Sequence, residues 1–361
     1  MKKRLCSLLL VLTMLSTLLV APASALEADG STNAGNETYV YLGVKDYGTV
    51  EADSKPDFVH RFYTNGEEVQ YTIASSDNKY AVQNKLQEGY VYDLSTQGNV
   101  VTDANLAAAK DEGKIESAYL EESGMLKQEY ADKVKEKDLT ASNVGAVMQA
   151  IDGVFFTGGE DVSPSLFKVP EKEKNEGEEI NATRDISDYM LMTYCLEKDV
   201  PTFAVCRGEQ VMSIVSGCTF IQDIPNYYKE QGKTYNDTHR MPADAPDRTY
   251  ARHDVTINKD ASKWLYKIVG STELKNVSSW HHQAVGGVEG TNLTVVSTAT
   301  YDGVEVIEAV ERQDKTFCLG VQFHPENDCK FVLYTKTPEK ALCDYETCLN
   351  FFEMLVEYAG K

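Results

Sequence analysis

Two short segments hold side chains that could do covalent chemistry together. The first is Val205-Cys206-Arg207-Gly208-Glu209-Gln210, a thiol that directly follows the apolar run Thr202-Phe203-Ala204-Val205 and precedes the helix-compatible residues 211–215. A chain that passes from a buried strand into a helix within one residue must turn sharply. A cysteine at such a turn projects outward, and the helix N-terminus stabilises negative charge on its sulfur. Gly208 lets the turn pack closely, and the backbone amide of Arg207 is positioned to donate to an oxyanion. The second segment is His324-Pro325-Glu326, which follows the apolar residues 317–323. A histidine just past a strand's C-terminal end can take the thiol proton and later give it to a leaving amine, while Glu326 orients the imidazole and holds its tautomer. An isolated cysteine at a strand end reads as a buried structural residue. With a base and an orienter available, the reading becomes a Cys206, His324, Glu326 triad.

The elements that must position these groups follow from the hydrophobic pattern. From residue 151 onward, short apolar runs such as Gly153-Val154-Phe155-Phe156-Thr157 and Thr202-Phe203-Ala204-Val205 alternate with amphipathic stretches such as residues 186–196. This texture predicts a mostly parallel sheet covered by helices, with its site crevice at the C-terminal edges of the strands. Upstream, residues 38–44, 69–73 and 89–94 are β-prone runs separated by Asn-Gly, Asp-Asn and Gln-Gly turn signals, which predicts a small β-rich module over residues 38–103. Residues 104–148 are charged and helix-compatible, with the interspersed lysine and glutamate of a solvated helical face. Residues 171–179 read as a charged surface loop.

The N-terminus, Met1-Lys2-Lys3-Arg4 followed by the apolar residues 5–20 and Ala23-Ser24-Ala25, reads as a secretory signal over residues 1–25. The apolar run is shorter than the ~20 residues that span a bilayer. Residues 26–37 are small and polar, a flexible leader. The expected setting is therefore secreted or cell-envelope, with no integral membrane segment after cleavage. The formal net charge is −21, which argues against nucleic acid as a partner. Of the eight cysteines, loss of Cys6 with the signal leaves an odd number, so at least one thiol is free or bonded to another chain. Cys195 and Cys318 read as buried hydrophobes. Cys329, Cys343 and Cys348 cluster closely enough for one disulfide of unreadable pairing. No cysteine pair has zinc-site spacing with histidines nearby, so neither a metal nor a cofactor is expected. His239 and His253 read as ordinary loop and strand residues.

The segments Thr157-Gly158-Gly159-Glu160-Asp161-Val162-Ser163-Pro164, Arg184-Asp185, Val205 to Gln210, Gln222-Asp223, His281-His282-Gln283-Ala284-Val285 and Gly320-Val321-Gln322-Phe323-His324-Pro325-Glu326 occur in an order that resembles the γ-glutamyl-γ-aminobutyrate hydrolase family of class I glutamine amidotransferase-like proteins. The resemblance runs from about residue 151 to the C-terminus and gives a hydrolase domain over residues 104–361. It implies a flavodoxin-like α/β fold and a Cys-His-Glu triad that cleaves a small γ-glutamyl amide or γ-linked peptide through a thioester. Cys206, His324 and Glu326 inherit the triad roles. Gly158 and Gly159 would supply a second oxyanion amide, and Gln210 would contact the glutamyl group. His281 and His282 would line the pocket. Departures stand at Asp188, Ser213 and Cys218, where the family usually has glutamate, asparagine and glycine. The family's opening strand, helix and glycine-proline turn are not evident. Residues 39–44 are then either the first sheet strand, followed by a β insertion, or part of a rebuilt sheet. Two rival readings are a glutaminase subunit that passes ammonia to a synthetase, and a surface or wall-binding protein that uses the fold as a scaffold.

Overall fold

The computed structural model describes residues 120–141, 144–148, 152–167, 180–242, 244–245, 249–333 and 336–359, together with the backbone of short strands between residues 39 and 75. The signal, the leader, the β-prone run at residues 89–94 and the loop at residues 171–179 lie outside the described residues.

The strands are β1 (Tyr39–Tyr41), β2 (Val59–His60), β3 (Tyr63–Thr64), β4 (Glu67–Glu68), β5 (Thr72–Ser75), β6 (Gly153–Phe156), β7 (Thr202–Val205), β8 (Thr219–Ile221), β9 (Ala251–Ile257), β10 (Glu273–Ser279), β11 (Ala284–Gly287), β12 (Thr294–Tyr301), β13 (Val304–Glu311) and β14 (Cys318–Val321). Ten of them form one sheet in the order β10-β9-β12-β13-β14-β7-β6-β5-β1-β2. From β1 through β5, β6 and β7 to β14 every pairing is parallel. Beyond β14, through β13, β12, β9 and β10, every pairing is antiparallel. The result is a flavodoxin-like parallel half joined to an antiparallel arm. Of the two readings of residues 39–44, the described strands give the first: β1 and β5 extend the large sheet, with β2, β3 and β4 lying between them in sequence.

The alternation of side chains along the parallel strands divides the core in two. Val154, Phe156, Ala204 and Cys318 face a cluster built from helices Ala182–Lys198 and Arg207–Ser216. Phe155, Phe203, Val205, Leu319 and Val321 face the opposite cluster, built from helices Leu265–Val269 and Tyr345–Ala359. Because both faces are covered, β6 and β7 are buried at every position, which is why they read as continuous apolar runs. On the second face Phe203 stacks on Phe351 at 5.6 Å between ring centroids and on Phe155 at the same separation. Helix Ala182–Lys198 starts where the Asn181 side chain accepts from the Arg184 amide, and it stops at Asp199 in the left-handed region. Within residues 104–148, helix Gln128–Lys135 buries only Ala131 and Val134 and leaves a charged face outward.

The seven described cysteines are all buried free thiols. The disulfide considered among Cys329, Cys343 and Cys348 is not formed; these thiols belong to the second core cluster. Among the described residues no helix is long and apolar enough to cross a membrane.

Candidate active site

Cys206 sits at φ 51° and ψ −108°, in a region that non-glycine residues rarely occupy. Such a conformation costs about 1–3 kcal/mol and persists only where its surroundings over-determine it. Here they do. Val205 is held in register opposite Val321, the Cys206 amide donates to the Val321 carbonyl at 2.8 Å, and the Cys206 carbonyl accepts from the Gln210 amide at 3.0 Å. The backbone must therefore leave the strand and enter helix Arg207–Ser216 across this one residue. The helix's first amides, beginning with Arg207, have no intrahelical acceptor and are available to an anion beside the sulfur.

Gly208 makes the close approach of that helix to β6 possible. A Cβ there would lie 2.6 Å from both the Cβ and the carbonyl oxygen of Phe156, and the latter is backbone of a strand buried on both faces. Gly208→Ala is therefore expected to destabilise by about 1–3 kcal/mol, at the upper end of that range for overpacking, and to displace the turn at Cys206. Chemical denaturation together with kcat would check it. A variant with wild-type midpoint and rate would show that the approach is not needed.

His324 lies three residues past β14. Its amide donates to the Ser278 carbonyl at 2.8 Å, which anchors its backbone to the end of β10. Glu326 stands in the first turn of helix Pro325–Leu333, and its Oε1 lies 2.5 Å from His324 Nδ1. That helix is pinned by Asp328, which accepts from Arg252 Nη1 at 2.7 Å and from Ser278 Oγ at 2.7 Å, and by Asn327, which donates to Ser278 Oγ at 2.8 Å. The ring of Tyr250 meets His324 edge-on at 5.1 Å between centroids. His324 Nε2 is buried and makes no hydrogen bond in the structure, while the Cys206 sulfur lies near enough to act on the charge of the ring. Burial by itself lowers the basicity of this imidazole. The Glu326 carboxylate and the Cys206 sulfur outweigh that and push it up to about 10.

The loop after β6 closes the group. A Cβ on Gly158 would lie 2.8 Å from His324 Cε1 and 3.6 Å from Cys206 Cβ, so only bare backbone fits between them. Two buried arginines hold this loop. Arg184 donates to the Gly158 carbonyl and the Thr157 hydroxyl, each at 2.9 Å, and pairs with Glu160 at 2.9 Å. Arg207 donates to the Glu160 carbonyl at 3.0 Å and pairs with Asp185 at 2.9 Å. Asp188 Oδ2 bridges the two, 3.2 Å from the Nε of each. Gly159, at φ 154°, lies against the Arg184 guanidinium, which a Cβ there would strike.

The structure thus brings Cys206, His324, Glu326, Gly158 and the backbone of Arg207 together. It does not bring Gln210 or His281 into that group. The Gln210 amide is buried and donates to Gln322 Oε1 at 3.1 Å and to the Gln283 carbonyl at 3.3 Å. His281 Nδ1 is 2.8 Å from the Gln283 carbonyl and its Nε2 points at Glu308. His282 lies between Asp161 at 3.3 Å and Asp223 at 3.2 Å, and these carboxylates overcome the effect of burial to raise it to about 9. Trp280, which sequence reasoning passed over, places its carbonyl 3.9 Å from Cys206 Sγ. Ser278, Asp328 and Tyr250 were likewise missed, because nothing in their immediate sequence marks them as supports for a histidine far along the chain.

The sequence profile of the family described as Peptidase C26 matches residues 133–326, a span that includes Cys206, His324 and Glu326. Protein NtpR of Enterococcus hirae is 34% identical over 181 residues, 50% of this chain and 69% of that protein. The γ-glutamyl-γ-aminobutyrate hydrolase PuuD of Escherichia coli is 27% identical over 191 residues, 52% of this chain and 69% of that protein. A solved glutamine amidotransferase from Thermotoga maritima aligns at 15% identity over 59% of this chain and 80% of that one, with a TM-score of 0.36.

Proposed function

This chain belongs to the peptidase C26 family, and we propose that it hydrolyses γ-glutamyl amide or peptide bonds through a glutamyl thioester on Cys206. The observation that carries the proposal is the strained elbow at Cys206, facing a histidine whose other nitrogen is held at 2.5 Å by a carboxylate. The reading rests on that site rather than on the fold, which hosts many chemistries. In the first half-reaction the sulfur attacks the γ-carbonyl carbon and the thiol proton resides on His324 Nε2. The amides of Arg207 and of the Gly158-Gly159 loop hold the oxyanion. As the carbon–nitrogen bond breaks, His324 passes its proton to the departing amine and the thioester forms. Water then attacks the thioester, with His324 taking its proton and returning it to the sulfur. The products are a free amine and a γ-carboxylate. Action outside the cytoplasm is part of the proposal, supported by the N-terminal Met1-Lys2-Lys3-Arg4 and the apolar run after it.

The test is release of amine from a panel of γ-glutamyl dipeptides, poly-γ-glutamate and glutamine, beside the matching α-linked peptides. Cleavage confined to γ-linked members is expected. Ammonia released from glutamine alone would favour a glutaminase, and no release from any member would overturn the reading.

The charge on Glu326 gives a sharper expectation. His324 stays protonated as pH rises until about 10, and its contribution to stability, complete below ~6.5, is lost over that interval. The alkaline limb of kcat/KM should therefore fall near pH 10 in the wild type. In Glu326→Gln the imidazole keeps a hydrogen bond but loses the carboxylate. The limb should shift toward neutrality and kcat should fall on the order of 10²-fold. A limb unmoved by the substitution would remove Glu326 from its role.

A further inference from the structure

Beneath the turn that carries Trp280, three imidazoles and a carboxylate converge where the mechanism uses none of them. His239 Nδ1 is 3.0 Å from Glu308 Oε1, His253 Nε2 is 3.6 Å from it and His281 Nε2 is 3.7 Å from it. All four residues are buried, at 1%, 8%, 4% and 0% exposure, and the four converging atoms lie within 4.8 Å of one another.

Hydrogen bonding does not account for the cluster. None of the three ring nitrogens, nor either oxygen of Glu308, makes a hydrogen bond of acceptable geometry. The outer nitrogens of two rings are already committed: His281 Nδ1 stands 2.8 Å from the Gln283 carbonyl and His253 Nδ1 stands 3.3 Å from the Asp254 carbonyl. A carbonyl can only accept, so these outer nitrogens carry the protons. In the neutral rings Nε2 then presents a lone pair toward an acceptor-only carboxylate. Lone pairs converging on a carboxylate in a dry interior are unfavourable unless something positive lies between them. An outer N–H fixed by a backbone carbonyl is also how metal-binding histidines are oriented.

The spacing suits a cation. A tetrahedral zinc centre with ~2.0–2.2 Å bonds sets its ligand atoms about 3.3 Å apart, and the three nitrogen–oxygen distances of 3.0, 3.6 and 3.7 Å bracket that value. Three imidazoles and one carboxylate suit a borderline ion such as zinc better than calcium or magnesium, which prefer all-oxygen shells. We propose that His239, His253, His281 and Glu308 form a closed structural site for one zinc-type divalent cation. The site ties together four segments that are distant in sequence: the loop carrying His239, β9, the turn after β10, and β13. Through the His281 amide, which donates to the His239 carbonyl at 3.0 Å, it backs the turn whose Trp280 carbonyl lies against Cys206. Burial of all four residues gives the ion no access to substrate, so its effect is on stability and on the placement of that turn. His239 and His253, read from sequence as ordinary loop and strand residues, acquire a function on this proposal. The sequence-based expectation of no metal rested on cysteine spacing, which does not bear on a histidine-carboxylate set.

The experiment uses the purified full chain. Elemental analysis should find close to one equivalent of zinc after growth in supplemented medium. Stripping with a chelator should lower the thermal midpoint, and added Zn²⁺ should restore it. Co²⁺ titrated into the stripped protein should bind with the visible bands of a tetrahedral centre and without thiolate-to-cobalt charge transfer. Glu308→Gln and His253→Gln should weaken Co²⁺ binding by at least about 10²-fold, whereas Cys343→Ser should bind as the wild type does. If the ligand variants do not fold, the cobalt titration of stripped wild type still decides. No uptake of Co²⁺, a midpoint indifferent to chelation, or a thiolate charge-transfer band would each overturn the proposal.

Discussion

Cys206→Ala is expected to reduce hydrolysis of γ-glutamyl substrates on the order of 10⁶-fold, to the level that substrate binding and the oxyanion amides support alone. Cys206→Ser should fall nearly as far, because a hydroxyl is a poorer nucleophile in a site arranged around a thiol. Both variants should still bind substrate, since the donors to the oxyanion are backbone groups fixed by Gly158 and by the start of helix Arg207–Ser216. In the wild type, a mild acid quench during turnover should leave a glutamyl adduct on the peptide that contains Cys206, and hydroxylamine should intercept it as a γ-glutamyl hydroxamate. Steady-state assay of both variants and mass spectrometry of the quenched enzyme check the prediction. Unchanged turnover in Cys206→Ala would falsify the nucleophile assignment and restore the reading of the chain as a binding scaffold.

Asp188→Ala is expected to destabilise the protein by about 3–5 kcal/mol, the usual consequence of removing one partner from a buried ion pair. The size follows from the geometry: Asp188 faces the Nε of both Arg184 and Arg207, whose side chains are 5% and 1% exposed, so neither guanidinium can turn to water for compensation. Activity should fall as well, because these arginines hold the carbonyls of Gly158 and Glu160 and thereby the loop beside His324. Asp188→Asn, which retains an acceptor, should recover part of the loss. Denaturant unfolding monitored alongside kcat distinguishes the outcomes, and wild-type stability in Asp188→Ala would show that Asp185 and Glu160 suffice.

The parts of the molecule legible in the sequence were those set by neighbours along the chain. Gly153 to Phe156 and Thr202 to Val205 announced themselves as buried strands because both faces of the sheet are covered, leaving no solvent-facing position in either. The abrupt change from Val205 to a helical pattern after Cys206 carried the elbow. Pairings across the sheet were not legible. The antiparallel arm from β13 to β10 joins strands whose order depends on contacts remote in sequence. For the same reason the residues of β1 could be read equally as the opening strand of the large sheet or as part of a separate module. Asp188 and the arginines it bridges gave no sign of burial, since Arg184 and Asp188 stand on one helix and Arg207 begins another, and nothing along the chain shows that the two meet. Gln210 followed the motif to the right address but with its side chain turned inward, a choice made by Gln322 and the Gln283 carbonyl.

The parallel pairing of β7 with β14 also bears on how the protein comes to be active in time. Val205 and Val321 are register partners, yet more than a hundred positions of chain, including the whole antiparallel arm, separate them. Contacts of such long range are slow to form, because the entropy of closing the intervening loop is lost before the pairing rewards it. The hydrogen bond that holds Cys206 in its turn ends on Val321, and His324 sits three residues beyond. Until β14 docks on β7, neither that hydrogen bond nor the neighbouring His324 is in place beside Cys206. On the proposed mechanism, nucleophile and base would then be brought together by one long-range pairing, and refolding followed by both activity and far-UV signal should show activity returning only with the last, slowest phase.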